Sequence, residues 1–255
     1  MLKLFYYIHN PFPVKSLRAA LSFFSTLPAG EGYEEYDALR RNLHVIPLAG
    51  TIIGVLIASI TFFIWLFAPS LTFLGVLVYL AFEGINHIDG LADVGDAIFT
   101  PRDRRKEVLK DVQVGAGGVV FVAVYLLLLF ESFRLLNSAD LIAAVVLSQT
   151  AAKFGMLFLI TTSKPIWEGM ASNIMEYANR RHLLLGFLYL LAIYALFFII
   201  NGRGPVVLFH LAISLFATFF IRNIAHSFFG GVSGDIFGAS NCVVFVLGML
   251  VFAAG

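Results

Sequence analysis

Long apolar runs separated by short polar segments dominate the chain. A helix that crosses the hydrocarbon layer needs about 20 mostly apolar residues. Seven runs approach that length: residues 43–68, 71–88, 116–136, 140–162, 183–201, 205–222 and 239–254. The pattern predicts an all-α fold, a polytopic membrane bundle of about seven transmembrane helices. Because no repeat or linker interrupts the chain, we expect one membrane-embedded domain, residues 1–255.

The segment before the first run, residues 1–42, is more polar than the rest. Its apolar pieces are short and are interrupted by Pro11 and Pro13, so they do not resemble a cleaved signal peptide. Within it, we expect residues 14–28 to form an amphipathic helix at the membrane interface. A short membrane-inserted helix is the alternative.

The basic residues predict the orientation of the spans. With a cytoplasmic N-terminus, four alternate segments are cytoplasmic: residues 1–42, 89–115, 163–182 and 223–238. They hold nearly all of the Lys and Arg side chains outside the spans, whereas the opposite side receives Arg134 and Arg203. Since cytoplasmic loops are enriched in Lys and Arg, we expect a multi-pass cell-membrane protein with its polar segments facing the cytoplasm.

The composition agrees with this class. The 255 residues are 60% hydrophobic and 13% charged, with a net charge of +1, whereas soluble domains carry about 25% charged residues. The small net charge gives no reason to expect a nucleic-acid partner. The single cysteine, Cys242, excludes an internal disulfide and a cysteine-cluster metal site.

The stretch "EGINHIDGLADVGDA" gathers titratable groups directly after an apolar run: Glu83, His87, Asp89, Asp93 and Asp96. If residues 83–96 form one helix, at about 100° per residue, the three aspartates lie within about 60° of one another. Asn86 then lies near that face, Glu83 lies toward its edge, and His87 projects to a different side.

Three carboxylates on one helix face repel one another unless a cation is present. Hard oxygen ligands suit Mg²⁺ or Mn²⁺ rather than Zn²⁺. Gly84, Gly90 and Gly95 remove side chains beside the acids, so we expect a bulky ligand to approach the backbone there. A solvated helix end and a cation or proton pathway in a transporter are the alternatives.

Three further polar features are candidate parts of a site. In the basic stretch "PRDRRKEVLKDVQVGAGG", Lys110 and Asp111 are expected to bind phosphate or pyrophosphate, while the preceding basic residues are typical of any cytoplasmic loop. In "GGVSGDIFGAS", Asp235 is expected to complete a metal site or hold a substrate hydroxyl, with a flexible connector as the alternative. Lys153, within a span, either reaches a phosphate or an acid, or forms a structural ion pair.

Taken together, these segments resemble the cobalamin synthase family. "INHIDGLADVGDAIF" is similar to the family signature G-x-H-x-D-G-L-A-D-x-x-D-G. Four other stretches resemble further family landmarks in the same order: "LSFFSTLPAG", "IPLAG", "RKEVLKDVQVGAGGV" and "FFGGVSGDIFGAS". The resemblance implies a Mg²⁺-dependent membrane enzyme that joins adenosylcobinamide-GDP to α-ribazole or its 5′-phosphate and releases GMP.

The resemblance also implies roles for individual residues. The implied metal and pyrophosphate residues are Glu83, Asp89, Asp93 and Asp96, and His87, Asp111 and Asp235 are implied to share their pocket. Either Asp235 or His87 is the candidate acceptor of the hydroxyl proton. The expected substrate-binding residues are Asn86, Lys110, Asp111, Gln113, Lys153, Ser233 and Gly234. Glu83, Asn86 and Gln113 depart from the family pattern, while Ser233 replaces a threonine and keeps the hydroxyl.

Two other classes compete with this interpretation. A CDP-alcohol phosphotransferase has an arginine where "DGLAD" has Asp93, and the later acids do not fit its motif. A cation-coupled transporter predicts acids near the middle of the membrane and often repeated spans. The expected partners are the two small-molecule substrates and membrane lipids, and a homodimer is compatible with the sequence.

Overall fold

The computed structural model describes residues 14–30, 32–111 and 113–255, which form a helical bundle. The α-helices are α1 (Val14–Phe24), α2 (Tyr33–Arg41), α3 (Ile46–Phe67), α4 (Gly75–Glu83), α5 (Asn86–Phe99), α6 (Arg105–Val108), α7 (Ala116–Leu135), α8 (Ser138–Thr162), α9 (Met170–Met175), α10 (Arg180–Ile200), α11 (Gly204–Phe229) and α12 (Gly234–Ala254). Short 3₁₀ turns at Leu43–Val45 and Pro69–Leu74 precede α3 and α4. The predictions for residues 1–13 lie outside the described residues.

Six of these helices are long and apolar enough to cross a membrane: α3 with its 3₁₀ turn, α7, α8, α10, α11 and α12. The bent pair Pro69–Glu83 and Asn86–Phe99 adds a seventh if it counts as one span. The predicted all-α polytopic bundle is therefore confirmed. Two spans are longer than predicted, because α11 continues to Phe229 and α12 begins at Gly234.

The earlier start of α12 corrects the interpretation of residues 230–240. Only residues 230–233 form a turn, and the rest of this stretch is already helical. Gly230 ends α11 in the left-handed region, with φ of 78°, and donates its N–H to the His226 carbonyl. The glycine-rich stretch is therefore a tight helix–helix connection and not a flexible connector.

The span predicted over residues 71–88 is broken after Glu83, and the single helix predicted over residues 83–96 is wrong. The chain bends by 96° between Pro69–Glu83 and Asn86–Phe99. Gly84 adopts a φ of 76°, which favours glycine because other side chains are strained there. Thr26 stabilises the break, since its N–H donates to the Phe82 carbonyl at 2.8 Å and its hydroxyl to the Ala81 carbonyl at 2.6 Å.

Helix α1 lies within the predicted amphipathic segment and is shorter than expected. Its 11 residues are too few to cross a bilayer. Its buried side chains are Ser16, Ala19, Ala20 and Phe24, and they pack toward α2 and α3. The Ser16 hydroxyl donates to the Ala38 carbonyl at 2.9 Å, which ties α1 to α2.

The centre of the bundle is α8, which is buried along most of its length, and α12 packs beside it. Small residues of α8 such as Ala144, Ala151 and Ala152 are fully buried, and they allow close approach of neighbouring helices. Helix α10 has few buried residues and faces outward. Helices α8 and α12, which carry polar side chains, are therefore largely surrounded by other helices.

Several helix ends meet at one end of the bundle, here called the site end (residues 89–111, 113–118, 163–169 and 230–238). Lys164 accepts a backbone hydrogen bond from Val232 at 2.9 Å, and Arg222 donates to the Thr162 carbonyl at 2.6 Å. The basic loop between α5 and α7 lies at the same end. At the opposite end, Arg134 and Arg203 form ion pairs with Glu131 and Asp140.

Candidate active site

The framework of the site is a close antiparallel contact between α5 and the start of α12. A Cβ atom at Gly90 would lie 2.6 Å from the Asp235 carbonyl oxygen, and one at Gly238 would lie 3.0 Å from the His87 Cα atom. The Cys242 thiol donates to the His87 carbonyl at 3.4 Å. The backbones of the two helices are therefore in contact, which brings an acid of α12 beside the aspartates of α5.

The glycines near the acids serve this packing, so the expectation that they open the backbone to a ligand is wrong for Gly90 and Gly95. A Cβ atom at Gly95 would lie 2.8 Å from Phe121 Cγ of α7. Gly90 has α12 against it, as described above. Gly84 instead supplies the positive φ at the break.

Asp89, Asp93 and Asp235 form what is here called the acidic cluster. Asp93 is half-buried and is repelled by the charges of Asp89, Asp235, Asp96 and Asp111. Asp89 is exposed and also repels Asp235. Among the described residues, the Lys and Arg ion pairs all lie elsewhere, so no basic side chain in direct contact offsets this repulsion.

Asp96 faces the same region, and its carboxylate is occupied by the start of α7. Its two oxygens accept backbone N–H groups of Gly115 at 2.7 Å and Gly118 at 2.9 Å. These are otherwise unpaired donors of the first turn of α7, where the helix dipole also favours a negative charge. Asp96 therefore caps α7 and fixes α5 against it.

Ser233 orients Asp235. The Ser233 hydroxyl donates to Asp235 Oδ2 at 3.0 Å and accepts the Ile236 N–H at 3.5 Å, as the N-terminal cap of α12. Ser233 is buried, whereas its neighbour Gly234 is exposed, with nothing within 4 Å of the Cβ position. Asp235 is partly exposed, and the hydrogen bond from Ser233 holds its carboxylate at the first turn of α12.

Glu83 lies apart from the acidic cluster because it ends α4 on the other side of the break. Its carboxylate is buried and accepts hydrogen bonds from Lys153, Gln149 and Asn241, the last at 2.6 Å. Lys153 also donates to Asn241 Oδ1 at 2.8 Å. The structure thus shows the ion-pair alternative for Lys153 and places Glu83 and Lys153 together inside the bundle.

His87 is buried at the start of α5 and points toward this interior group. Its Nδ1 atom lies 3.4 Å from Glu83 Oε1. Asn86, the preceding residue, is exposed at the first position of α5. The predicted divergence of His87 from the aspartates agrees with this geometry, because all four residues lie on α5 and the helical angle separates them.

The basic loop borders the acidic cluster. Lys110 is exposed, and its Nζ atom lies 4.4 Å from the centre of the Trp167 ring. Asp111 is also exposed, interacts with Asp93, and accepts the Gln113 N–H at 3.2 Å. The predicted substrate residues of this loop therefore lie beside the cluster, with Trp167 of the 163–169 loop as a neighbour that sequence reasoning missed.

Sequence reasoning also missed Gln149, Asn241 and Thr26. Both amides are fully buried within apolar spans, where a polar side chain signals a specific partner. That signal was present in the sequence, but the partner, Glu83, could be identified only from the packing of three helices. Thr26 lies in "LSFFSTLPAG", which resembles a family landmark, but its partners, the Ala81 and Phe82 carbonyls, could be identified only from the packing.

The donor set of the acidic cluster suits Mg²⁺ in part. Within the described part of the chain, no three Asp, Glu, His or Cys side chains are arranged to hold a metal ion by themselves. Mg²⁺ is usually bound by only one or two carboxylates, with water and substrate phosphate completing its shell. Neighbouring carboxylates that repel one another, with Asp89 exposed and Asp93 and Asp235 partly exposed, fit that mode of binding and do not fit Zn²⁺.

Comparison with known proteins decides the family. The family described as cobalamin-5-phosphate synthase matches residues 16–253. The chain belongs to the cobalamin-5-phosphate synthase family. Two Archaeoglobus fulgidus proteins named adenosylcobinamide-GDP ribazoletransferase are 43% and 40% identical to it, covering 92% and 91% of this chain and 95% and 94% of theirs. A Methanocella arvoryzae protein of the same name is 32% identical, covering 94% and 96%. No solved structure matches.

The match to the cobalamin-5-phosphate synthase family includes every element of the site. Residues 16–253 contain α5, the basic loop and the start of α12. The resemblance noted in the sequence is therefore confirmed at the level of the family.

Proposed function

We propose that this member of the cobalamin-5-phosphate synthase family joins adenosylcobinamide-GDP to α-ribazole or its 5′-phosphate, and that it releases GMP. Support comes from the family, from the names of the relatives and from the site. The observation that carries the proposal is the meeting of Asp89 and Asp93 of α5 with Asp235 of α12, beside the basic loop.

The reaction is a displacement at phosphorus. The ribose hydroxyl oxygen of α-ribazole forms a bond to the phosphorus that carries cobinamide. The bond from that phosphorus to the bridging oxygen breaks, and GMP leaves with this oxygen. The hydroxyl proton passes to a base. Because little covalent chemistry falls to the protein, catalysis depends on alignment and on offsetting negative charge.

We assign the metal contact to Asp89 and Asp93. Mg²⁺, when bound, neutralises charge on the diphosphate and on the departing phosphate. Asp96 supports these two residues indirectly, because its carboxylate caps α7. Glu83 is left out of the metal set, because both of its oxygens accept hydrogen bonds inside the bundle.

Asp235 is the proposed acceptor of the hydroxyl proton. Its carboxylate accepts a hydrogen bond from Ser233, and the residue is partly exposed. His87 fits this role less well, because it is buried and lies near Glu83 on the interior side of α5. A base must reach the proton that it removes, and Asp235 lies beside Asp89 and Asp93, where we propose that the diphosphate binds.

The basic loop and the exposed end of α5 are the proposed substrate contacts. Lys110 offers a positive charge to phosphate, and Asn86, Asp111 and Gln113 are also exposed. The site end also holds most of the basic loops, which favours a cytoplasmic location for it. A soluble diphosphate and a hydrophobic membrane can then meet at one surface.

Product formation in liposomes tests the proposal. We expect the wild-type protein, supplied with adenosylcobinamide-GDP, α-ribazole and Mg²⁺, to produce cobalamin and GMP in equal amounts. We expect EDTA or Asp89→Asn to remove nearly all of this activity. Glu131→Gln, which changes an acid at the opposite end of the bundle, is the matched control and should keep it.

Absence of both products with folded wild-type protein contradicts the proposed function. Product formation that survives EDTA and Asp89→Asn keeps the reaction and contradicts the assigned site.

A further inference from the structure

A single buried carboxylate connects three helices next to the active site. Glu83, the last residue of α4, accepts hydrogen bonds from Lys153 and Gln149 of α8 and from Asn241 of α12. Lys153 and Asn241 are also bonded to each other at 2.8 Å. These four residues are here called the interior network.

The interior network is closed to solvent. Glu83 is 2% exposed, and the other three residues are fully buried. Lys153 is held on its other side by α3, since a Cβ atom at Gly50 would lie 2.7 Å from Lys153 Cγ. Removing one partner of a buried charge pair leaves the other charge uncompensated. We therefore expect loss of either Glu83 or Lys153 alone to destabilise the fold strongly.

The interior network lies where the orientation of α5 is set. The chain turns by 96° directly after Glu83, and α5 begins at Asn86. Thr26 donates to the Ala81 and Phe82 carbonyls near the end of α4. The interior network holds the Glu83 side chain at the same end of α4, and it includes Asn241 of α12, the helix that also carries Asp235.

We propose that Glu83 is a positioning residue, which through Lys153 and Asn241 fixes the bend between α4 and α5 and so places Asp89 and Asp93 against Asp235. Its two oxygens are occupied within the interior network, so it acts through other residues and not on the metal. The effect on catalysis rests on the proposed function, whereas the effect on the position of α5 does not.

Asn241→Leu is the decisive variant, because it breaks the link to α12 without changing a charge. We expect kcat to fall about 10²-fold, since displacement of a reacting group by about 1 Å has an effect of that size. We expect the KM for adenosylcobinamide-GDP to change much less. Ser240→Ala is the matched control: it is buried beside Asn241, and its hydroxyl has no hydrogen-bond partner among the described residues.

A distance measurement reports the position of α5 directly. Spin labels are attached to cysteines introduced at Phe99, at the end of α5, and at Leu184 on α10, both exposed. The native Cys242 is buried and stays unlabelled. We expect a narrow distance distribution in the otherwise unchanged protein and in Ser240→Ala, and a broadened or shifted one in Asn241→Leu.

If Asn241→Leu fails to fold, the double variant Glu83→Gln/Lys153→Met replaces it, because it removes both charges together. An unchanged distance distribution in a folded variant overturns the proposal, whatever the activity. A second outcome also overturns the proposal, because it would identify Glu83 as a metal ligand. In that outcome Glu83→Gln raises the Mg²⁺ concentration needed for half-maximal rate, and Asn241→Leu behaves like the wild type. Lack of activity in the wild type contradicts only the proposed function, since the distances still test the bend.

Discussion

The acidic cluster and the interior network use the same kind of group in opposite ways. Asp89, Asp93 and Asp235 repel one another at an open end of the bundle, with no described basic side chain in contact. Glu83 belongs to the same stretch of sequence, yet it is buried and bonded to a lysine and two amides. The unpaired acids can bind a cation and a substrate, whereas both oxygens of Glu83 are already engaged in hydrogen bonds that connect helices.

The difference arises at the break after Glu83. Without the positive φ of Gly84, one helix would carry Glu83 and the aspartates together at the membrane surface. Because the chain turns there, Glu83 ends inside the bundle and the aspartates end at its surface. Proximity in sequence is therefore a poor guide to which acids act together in this protein.

The largest expected effect tests the acidic side of the comparison. We expect Asp93→Asn to lower kcat by about 10²–10³-fold, the range seen when one group that stabilises transition-state charge is removed. The temperature of unfolding should not fall, because the substitution relieves repulsion within the cluster. GMP release and thermal unfolding in the same detergent measure both. A clear loss of stability without loss of kcat contradicts the assignment.

The next effect tests the interior side. We expect Lys153→Met to lower the free energy of unfolding by about 3–5 kcal/mol, because it leaves the Glu83 carboxylate buried without a counter-charge. Adding Glu83→Gln should recover most of the loss. Reversible unfolding in mixed micelles provides the measurement. Equal stability of the single and double variants would show that the charges are not coupled.

The contact between α5 and α12 joins the two regions, and its effect should be intermediate. Gly90→Ala places a methyl group 2.6 Å from the Asp235 carbonyl oxygen, so the helices must separate. We expect a loss of about 1–3 kcal/mol in the free energy of unfolding, together with reduced kcat. Gly234→Ala, with open space around it, is the control and should change stability little. Equal effects of the two substitutions argue against the close contact.

Asp96 sharpens the comparison, because it faces the active site but is engaged by α7. We expect Asp96→Ala to lower the free energy of unfolding by about 0.5–2 kcal/mol, the usual effect of losing a helix cap. Its kcat should fall less than that of Asp93→Asn. Parallel kinetics and unfolding of the two variants check this. A kcat loss equal to that of Asp93→Asn, with unchanged stability, indicates a direct role for Asp96 instead.

Much of the fold could be predicted from the sequence, because hydrophobic runs report membrane spans without knowledge of their partners. The predictions of the fold that were wrong share a cause. The break at Gly84 and the early start of α12 at Gly234 depend on turn conformation and capping, which hydropathy does not record. The helix that carries the signature acids was predicted, but it was expected to begin at Glu83, before the break, and it begins at Asn86.

The site was predicted in outline and not in detail. The aspartates of α5 were identified because acids after an apolar span are unusual. Their division into a cluster acid, Asp93, and a capping acid, Asp96, depends on contacts between distant segments. The same holds for Gly90 and Gly95, which serve helix packing and not ligand approach.

The most direct test of the central claim is GMP release by Asp235→Asn, because Asp235 joins the cluster from a different helix. At saturating Mg²⁺, we predict a loss of kcat comparable to that of Asp93→Asn. We also predict that the double variant is no worse than either single one, since residues that act as a unit are not additive. Activity of Asp235→Asn close to that of the wild-type protein, with losses in Asp93→Asn alone, would contradict a site built where α5 meets α12.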